Sequence, residues 1–138
     1  MEVVLHLPVV PNVELVAAKA VEALGGALGM SQTRVEAACV AIVEACLNAM
    51  EHGGGEVVVR LAGENSSGRP RLVIEVEDHG GGFDPAKAPR KTVAQVLGCA
   101  SKRGWGLTLI RELMDDVQIR SRPGQTLVRM CKYVEGGP

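Results

Sequence analysis

No run of like charge occurs anywhere in these 138 residues, where 15 lysines and arginines against 16 acidic residues leave a net charge of −1. The basic stripe of a duplex-DNA binder is missing, so nucleic acid is not an expected partner. Long hydrophobic runs are missing too. Charge or glycine breaks each one well short of the ~20 residues a bilayer span needs, and the opening Met1 to His6 lacks a basic n-region. The expectation is a soluble, cytoplasmic protein without a membrane partner. Cys39, Cys46, Cys99 and Cys131 form no CxxC pair and sit among apolar residues, which reads as reduced core thiols and excludes a zinc knuckle or disulfide framework. A G-x-S-x-G elbow is absent, so His79, Gly80, Gly81 and Gly82 are not the oxyanion loop of an esterase. A G-x-x-x-x-G-K-[ST] loop is absent as well. With no internal repeat, the length suits one domain over 1–138 and leaves no room for a second.

What is present has a clear order. Glu2 to Leu7 reads as a strand stopped by Pro8 and Pro11, and Asn12 is expected to cap a helix running to about Leu28, ended by Gly25, Gly26 and Gly29. Ser31 is expected to cap a second helix to His52, stopped by Gly53, Gly54 and Gly55. Glu56 to Ala62 and Arg71 to Glu77 alternate as two antiparallel strands around a polar hairpin loop at 63–70. A glycine-rich stretch follows from Asp78 to Pro85. Ala86 to Arg103 is irregular, with a short helix around Val93 to Leu97. Leu107, Leu109, Ile110, Leu113 and Met114 have helical spacing within Trp105 to Asp116, and Val117 to Ser121 and Thr126 to Tyr133 read as closing strands. This order predicts an α+β fold, a two-layer sandwich with helices on one face of a mixed, largely antiparallel sheet.

The second helix carries the most informative pattern. Glu44, Asn48 and His52 are four residues apart and stack along one edge, while Val35, Cys39, Ile42, Val43, Cys46 and Met50 are expected to fill the opposite side. That polar edge is flanked by Ala37, Val40, Ala41 and Leu47 rather than by further charge, so it does not resemble a solvated face. A carboxylate and an amide in such a setting need a compensating partner, and a cation with a phosphate-bearing ligand supplies one. The plain structural alternatives are a paired carboxylate for Glu44, a packed amide for Asn48 and a dipole-favoured helix-end imidazole for His52. Asp78 closes an apolar strand just before glycines that let backbone approach a flat ligand, though aspartate before glycine is also a common turn. Gly104 and Gly106 lead into the last helix, whose first N–H groups are free to meet an anion, with Lys102 and Arg103 directly before them.

Three segments taken together, Glu44 to Gly53, Glu77 to Asp84, and Arg103 to Leu107, resemble the N, G1 and G2 boxes of the ATPase superfamily that holds gyrase, heat-shock chaperones, histidine kinases and mismatch-repair proteins. The length, the Asp78-x-Gly80-x-Gly82-Phe83-Asp84-Pro85 pattern and the run from Leu113 to Val117 are similar to the small anti-sigma-factor serine kinases. That resemblance implies a histidine-kinase-type ATPase domain using ATP and Mg²⁺. It implies Glu44 as general base, Asn48 as Mg²⁺ ligand, Asp78 as acceptor of the adenine amino group, and Gly80, Gly82, Gly104, Gly106, Leu107 and Thr126 around the nucleotide. Arg103 would neutralise charge at the γ-phosphate, and a mobile ATP lid would lie at about 84–106. Gln125 stands where the family has the glycine of a Gly-Thr pair, with Gly124 one step earlier. The implied partners are an anti-anti-sigma protein, a sigma factor and a second copy of the chain. A nucleotide-gated binding module without turnover and a switch kinase acting on a larger signalling complex share the same boxes.

Overall fold

The computed structural model describes residues 1–52, 55–80 and 106–136. Five strands form one sheet in the order β1-β2-β3-β5-β4, with β1 at Glu2–Leu7, β2 at Val57–Ser66, β3 at Arg69–Asp78, β4 at Asp116–Arg122 and β5 at Gln125–Tyr133. Every described pairing is antiparallel. Helices α1 (Glu14–Ala27), α2 (Gln32–His52) and α3 (Gly106–Leu113) cover one face. The expected two-layer α+β sandwich is thus the observed one, with an antiparallel sheet.

The period-2 pattern decides which side of the sheet is core. Val57, Val59 and Leu61 of β2, Leu72, Ile74 and Val76 of β3, and Val128 and Met130 of β5 turn inward and are buried. The outward rows carry charge, with Arg60 paired to Glu77 at 3.4 Å, Arg129 to Glu75 at 3.4 Å and Arg71 to Glu64 at 2.9 Å. One face is therefore sealed by helices and the other is solvated. On α2 the buried row is Ala38, Ala41, Ile42, Ala45, Cys46 and Ala49. Of the residues expected opposite the Glu44–Asn48 edge, Val35, Ile42 and Cys46 are buried while Cys39, Val43 and Met50 are only partly so, and the alanines extend the buried row toward that edge; on the α1 side the Cys39 thiol donates to Ala18 O at 3.5 Å.

Several local expectations need correction. Asn12 does not cap α1: it adopts φ 68°, Val13 stands at the N-cap, and no side chain bonds the first turn. Gly25 and Gly26 lie inside the helix, and the chain turns at Gly29, φ 86°. The polar loop at 63–70 is mostly strand: β2 runs on to Ser66 and β3 begins at Arg69, joined by Ser67 and Gly68 at φ 52° and 81°. Two successive left-handed residues make the primed turn whose twist matches an antiparallel hairpin. The last helix ends at Leu113, and Asp116 already belongs to β4. Ser31 does cap α2, its hydroxyl accepting from Arg34 N at 3.3 Å. The expected helix at 93–97 lies outside the described residues.

Among the described residues, Cys39, Cys46 and Cys131 are free thiols, and no helix is long and apolar enough to cross a membrane. Burial pushes the Cys46 thiol up from 9.0 to about 12. The folded chain holds this proton more tightly than the unfolded chain does, so its contribution to stability is complete below pH 9 and drains away as pH rises through about 12. Urea midpoints measured from pH ~8 to ~11 are expected to fall more steeply for the wild type than for Cys46→Ala.

Candidate functional site

One end of the sandwich collects the chemistry. Helix α2 runs toward His52 and feeds β2, whose first residues pair with the last residues of β3, Val58 lying opposite Glu77. The second half of α2 and Asp78 therefore share the same edge of the fold. Strand β5 begins there too, with Thr126 opposite Asp78.

On the helical side, α3 starts against the polar edge of α2. A Cβ on Gly106 would lie 2.9 Å from Asn48 Nδ2, 3.3 Å from Asn48 Oδ1 and 3.2 Å from Glu44 Oε2. A side chain at position 106 would make the Asn48 and Glu44 side-chain ends shift. Glu44 and Asn48 are half-buried, and Asn48 Oδ1 is a buried oxygen with no hydrogen-bond partner among the described residues. Leaving such an acceptor unsatisfied costs about 1–3 kcal/mol, so a donor or cation that met it would be favoured. An amide oxygen beside a carboxylate is the hard-oxygen chemistry that suits Mg²⁺, and the residues present fit that ion. Among the described residues no cluster of His, Cys, Asp and Glu has the make-up of a self-contained metal cage.

On the sheet side, Asp78 is 5% exposed and Thr126 2%. Asp78 Oδ1 accepts from Gly80 N at 3.0 Å, an Asx turn that fixes the carboxylate at the strand's end. The Thr126 and Ser121 hydroxyls are 3.1 Å apart. Gln125 turns to the solvated face, where its amide donates to Glu77. It does not share the positive φ of Gly124, 85°, which makes the turn.

Structure thus brings together Glu44, Asn48, Gly106 and Leu107 on the helical side and Asp78, Gly80 and Thr126 on the sheet side. Leu107 packs against the core. Arg103, Gly82, Gly104 and most of the expected lid lie outside the described residues. Sequence reasoning missed Lys132, which is 6% exposed and donates to Leu113 O. Its signal was a charge at an inward position of an alternating strand.

The fold is that of an ATPase domain of the histidine-kinase type. The sequence profile of the histidine kinase-like ATPase domain matches residues 10–132, and the chain belongs to that family. Within it, the chain's relatives are protein serine kinases. It is 34% identical over 112 residues to a serine-protein kinase RsbW of Bacillus cereus, an alignment covering 78% of this chain and 69% of the relative. It is 33% identical to the RsbW of Bacillus anthracis over the same shares. The RsbU and RsbW domains of a Mycobacterium tuberculosis protein superpose with a TM-score of 0.68 at 18% identity, covering 96% of this chain and 32% of that one, so this chain spans about a third of it. A blue-light-activated histidine kinase of Erythrobacter litoralis gives 0.54 at 16% identity, over 88% of this chain and 59% of that one. These two likenesses bear on the fold alone.

The Gly106 contact makes a direct prediction. Gly106→Ala is expected to push the Asn48 amide aside, an overpacking cost of about 1–3 kcal/mol partly offset by alanine's better helix propensity. Calorimetric titration with ATP and Mg²⁺ should read affinity ~10-fold or more below wild type, while circular dichroism reports an intact fold.

Proposed function

We propose that this chain works as one cytoplasmic, Mg²⁺-dependent kinase domain that moves the γ-phosphoryl group of ATP to a serine of an anti-anti-sigma protein, and so governs the release of a sigma factor. Its family supplies the class, ATP-using protein serine kinase with an anti-sigma role. The observation that carries the mechanism is the buried Asn48 Oδ1, without a hydrogen-bond partner among the described residues, one turn after Glu44 and beside Gly106.

In this reading Glu44 accepts the proton of the serine hydroxyl as that oxygen attacks in line, and Asn48 contributes its amide oxygen to the bound cation. Mg²⁺, when bound, neutralises charge on the phosphates. Gly106, at the first turn of α3, lets backbone come close to the phosphate end without a side chain in the way. Asp78, held by its Asx turn, offers an acceptor to the adenine amino group and repels the carbonyl that guanine has in its place. Thr126 supports that end from the neighbouring strand. Arg103 adds positive charge from the segment at about 84–106, which closes over the nucleotide.

A homodimer fits the N-terminal surface. Among the described residues strand β1 pairs only with β2, so no described strand covers its other edge, and Val4, Val9, Val10, Leu15 and Val16 are exposed nearby in sequence. Unpaired strand edges beside apolar side chains are managed in proteins by covering them. A second copy of the chain is the proposed cover, and the sigma factor and anti-anti-sigma protein are the proposed partners of the assembled form.

Asp78→Asn is expected to abolish the preference for ATP over GTP, since an amide has one acceptor oxygen and adds a donor where adenine already donates. Calorimetry with both nucleotides checks it, and unchanged ATP affinity would take the adenine role from Asp78.

Glu44→Ala is expected to bind ATP about as well as wild type while phosphoryl transfer falls by ~10²-fold or more. Radiolabelled ATP with a panel of anti-anti-sigma proteins provides the measurement. Wild-type protein that binds ATP and labels none of them would point to a nucleotide-gated binder, and a Glu44→Ala protein that labels at full rate would make Glu44 structural.

A further inference from the structure

Three polar side chains are buried among the described residues: Asp78, Thr126 and Lys132. The first two face each other at the proposed nucleotide site. Lys132 lies six residues further along β5, on the same inward face and opposite Leu72. A buried ammonium group is costly, and desolvation lowers the Lys132 pKa from its usual 10.5, with Asp115 opposing that shift and Arg34 adding to it. The cost needs a structural return.

Its contacts show where the return lies. Lys132 Nζ donates to Leu113 O, the last residue of α3, so a cation closes the negative end of that helix. Two residues on, Asp115 N donates to Cys131 O at 2.9 Å. Asp115 Oδ2 accepts from Tyr133 N at 2.8 Å and from Arg34 Nη2 at 2.6 Å. Arg34 Nε in turn donates to Tyr133 O at 2.9 Å. Arg34 stands in the first turn of α2, the helix whose later turns carry Glu44 and Asn48. Helices α2 and α3 are therefore tied at two places: a polar clasp where α3 ends and α2 begins, and the Gly106 contact where α3 begins.

The second place is close. A hypothetical Cβ on Gly106 would lie 2.9 Å from the Asn48 amide and 3.2 Å from Glu44 Oε2, so the first turn of α3 sits directly against both side chains. A helix of 8 residues is about 12 Å long and behaves as a short rigid rod, so tilting its clasped end displaces its other end. We propose that Lys132, with Arg34 and Asp115, is a positioning group for the nucleotide site: it fixes the C-terminal end of α3 so that Gly106 stays seated over Glu44 and Asn48. The proposal rests on reading those two residues as the phosphate end of the site. None of the three clasp residues touches the nucleotide, and their effect passes through α3.

The test compares Lys132→Met, which keeps the aliphatic stem, with Arg34→Gln at the partly exposed side of the clasp. Val21→Ala serves as control, a core truncation in α1 on the far side of α2 from α3. The nucleotide-free proteins are examined by NMR at the Gly106 backbone amide and the Asn48 side-chain amide, and then titrated with ATP and Mg²⁺. Lys132→Met is expected to shift both signals and to weaken binding by ~10-fold, the size typical when a group supporting a ligand-holding residue is lost. Arg34→Gln should move both readouts in the same direction, and it carries both measurements if Lys132→Met does not fold. Val21→Ala should leave both signals and the affinity near wild type. Unmoved Gly106 and Asn48 signals in the clasp variants would overturn the proposal. So would a Val21→Ala protein that loses as much affinity, since general loosening would then explain the effect. A wild type that binds no ATP would sink the functional reading alone, and the two amide signals would still decide the clasp.

Discussion

The seating of α3 on the polar edge of α2 is the constraint on which the site depends. Helix packing distance depends on the side chains at the contact. Gly106 presents none to α2, where a Cβ would lie 2.9 Å from the Asn48 amide. On α2, Ala41, Ala45 and Ala49 form the row between the Glu44–Asn48 edge and the core, and all three are buried. Their small size lets α2 settle close to the sheet. Larger residues in that row would lift Glu44 and Asn48 away from the strand ends.

The two halves of the pocket are held by different means. Asp78 and Thr126 belong to the sheet, where the β3–β5 ladder fixes their register and the Asx turn to Gly80 fixes the carboxylate. A one-residue slip would carry both to the solvated face, so the whole hydrophobic alternation of β3 and β5 protects their position. Asn48 instead depends on helix packing, and its buried oxygen has no partner among the described residues. A buried acceptor left in that state favours any donor or cation that reaches it, so the helical half has more to gain from a ligand than the sheet half.

Much of this was legible in the sequence because the signals were periodic. Glu44 and Asn48 stood out through their four-residue spacing, and the strands through alternation, to within a few residues at each end. The misses came from local chemistry with two outcomes. Asn12 has the side chain of an N-cap and also tolerates a left-handed backbone, and the chain used the second property. The polar stretch at 63–70 looked like a loop because Glu64, Asn65 and Arg69 are polar, yet Glu64 is an outward strand position that pairs with Arg71 across the hairpin. Polarity marks a solvated face as readily as it marks a loop. Lys132, Arg34 and Asp115 are far apart in sequence, and only the three-dimensional arrangement shows that they meet.

Gln125 illustrates how a departure from a family pattern is absorbed. A glycine before the threonine would matter if the backbone there needed a left-handed conformation or if a side chain would intrude on the ligand. Neither condition holds at this position. The left-handed residue is Gly124, one step earlier, and alternation along β5 sends position 125 to the face opposite Thr126. The Gln125 side chain lies instead beside Glu77, which also pairs with Arg60 at 3.4 Å. Three strands, β2, β3 and β5, are thereby joined across the back of the sheet at the end where Asp78 sits. The substitution leaves the pocket face untouched, and the bond it gains ties together the strand ends that support Asp78 and Thr126.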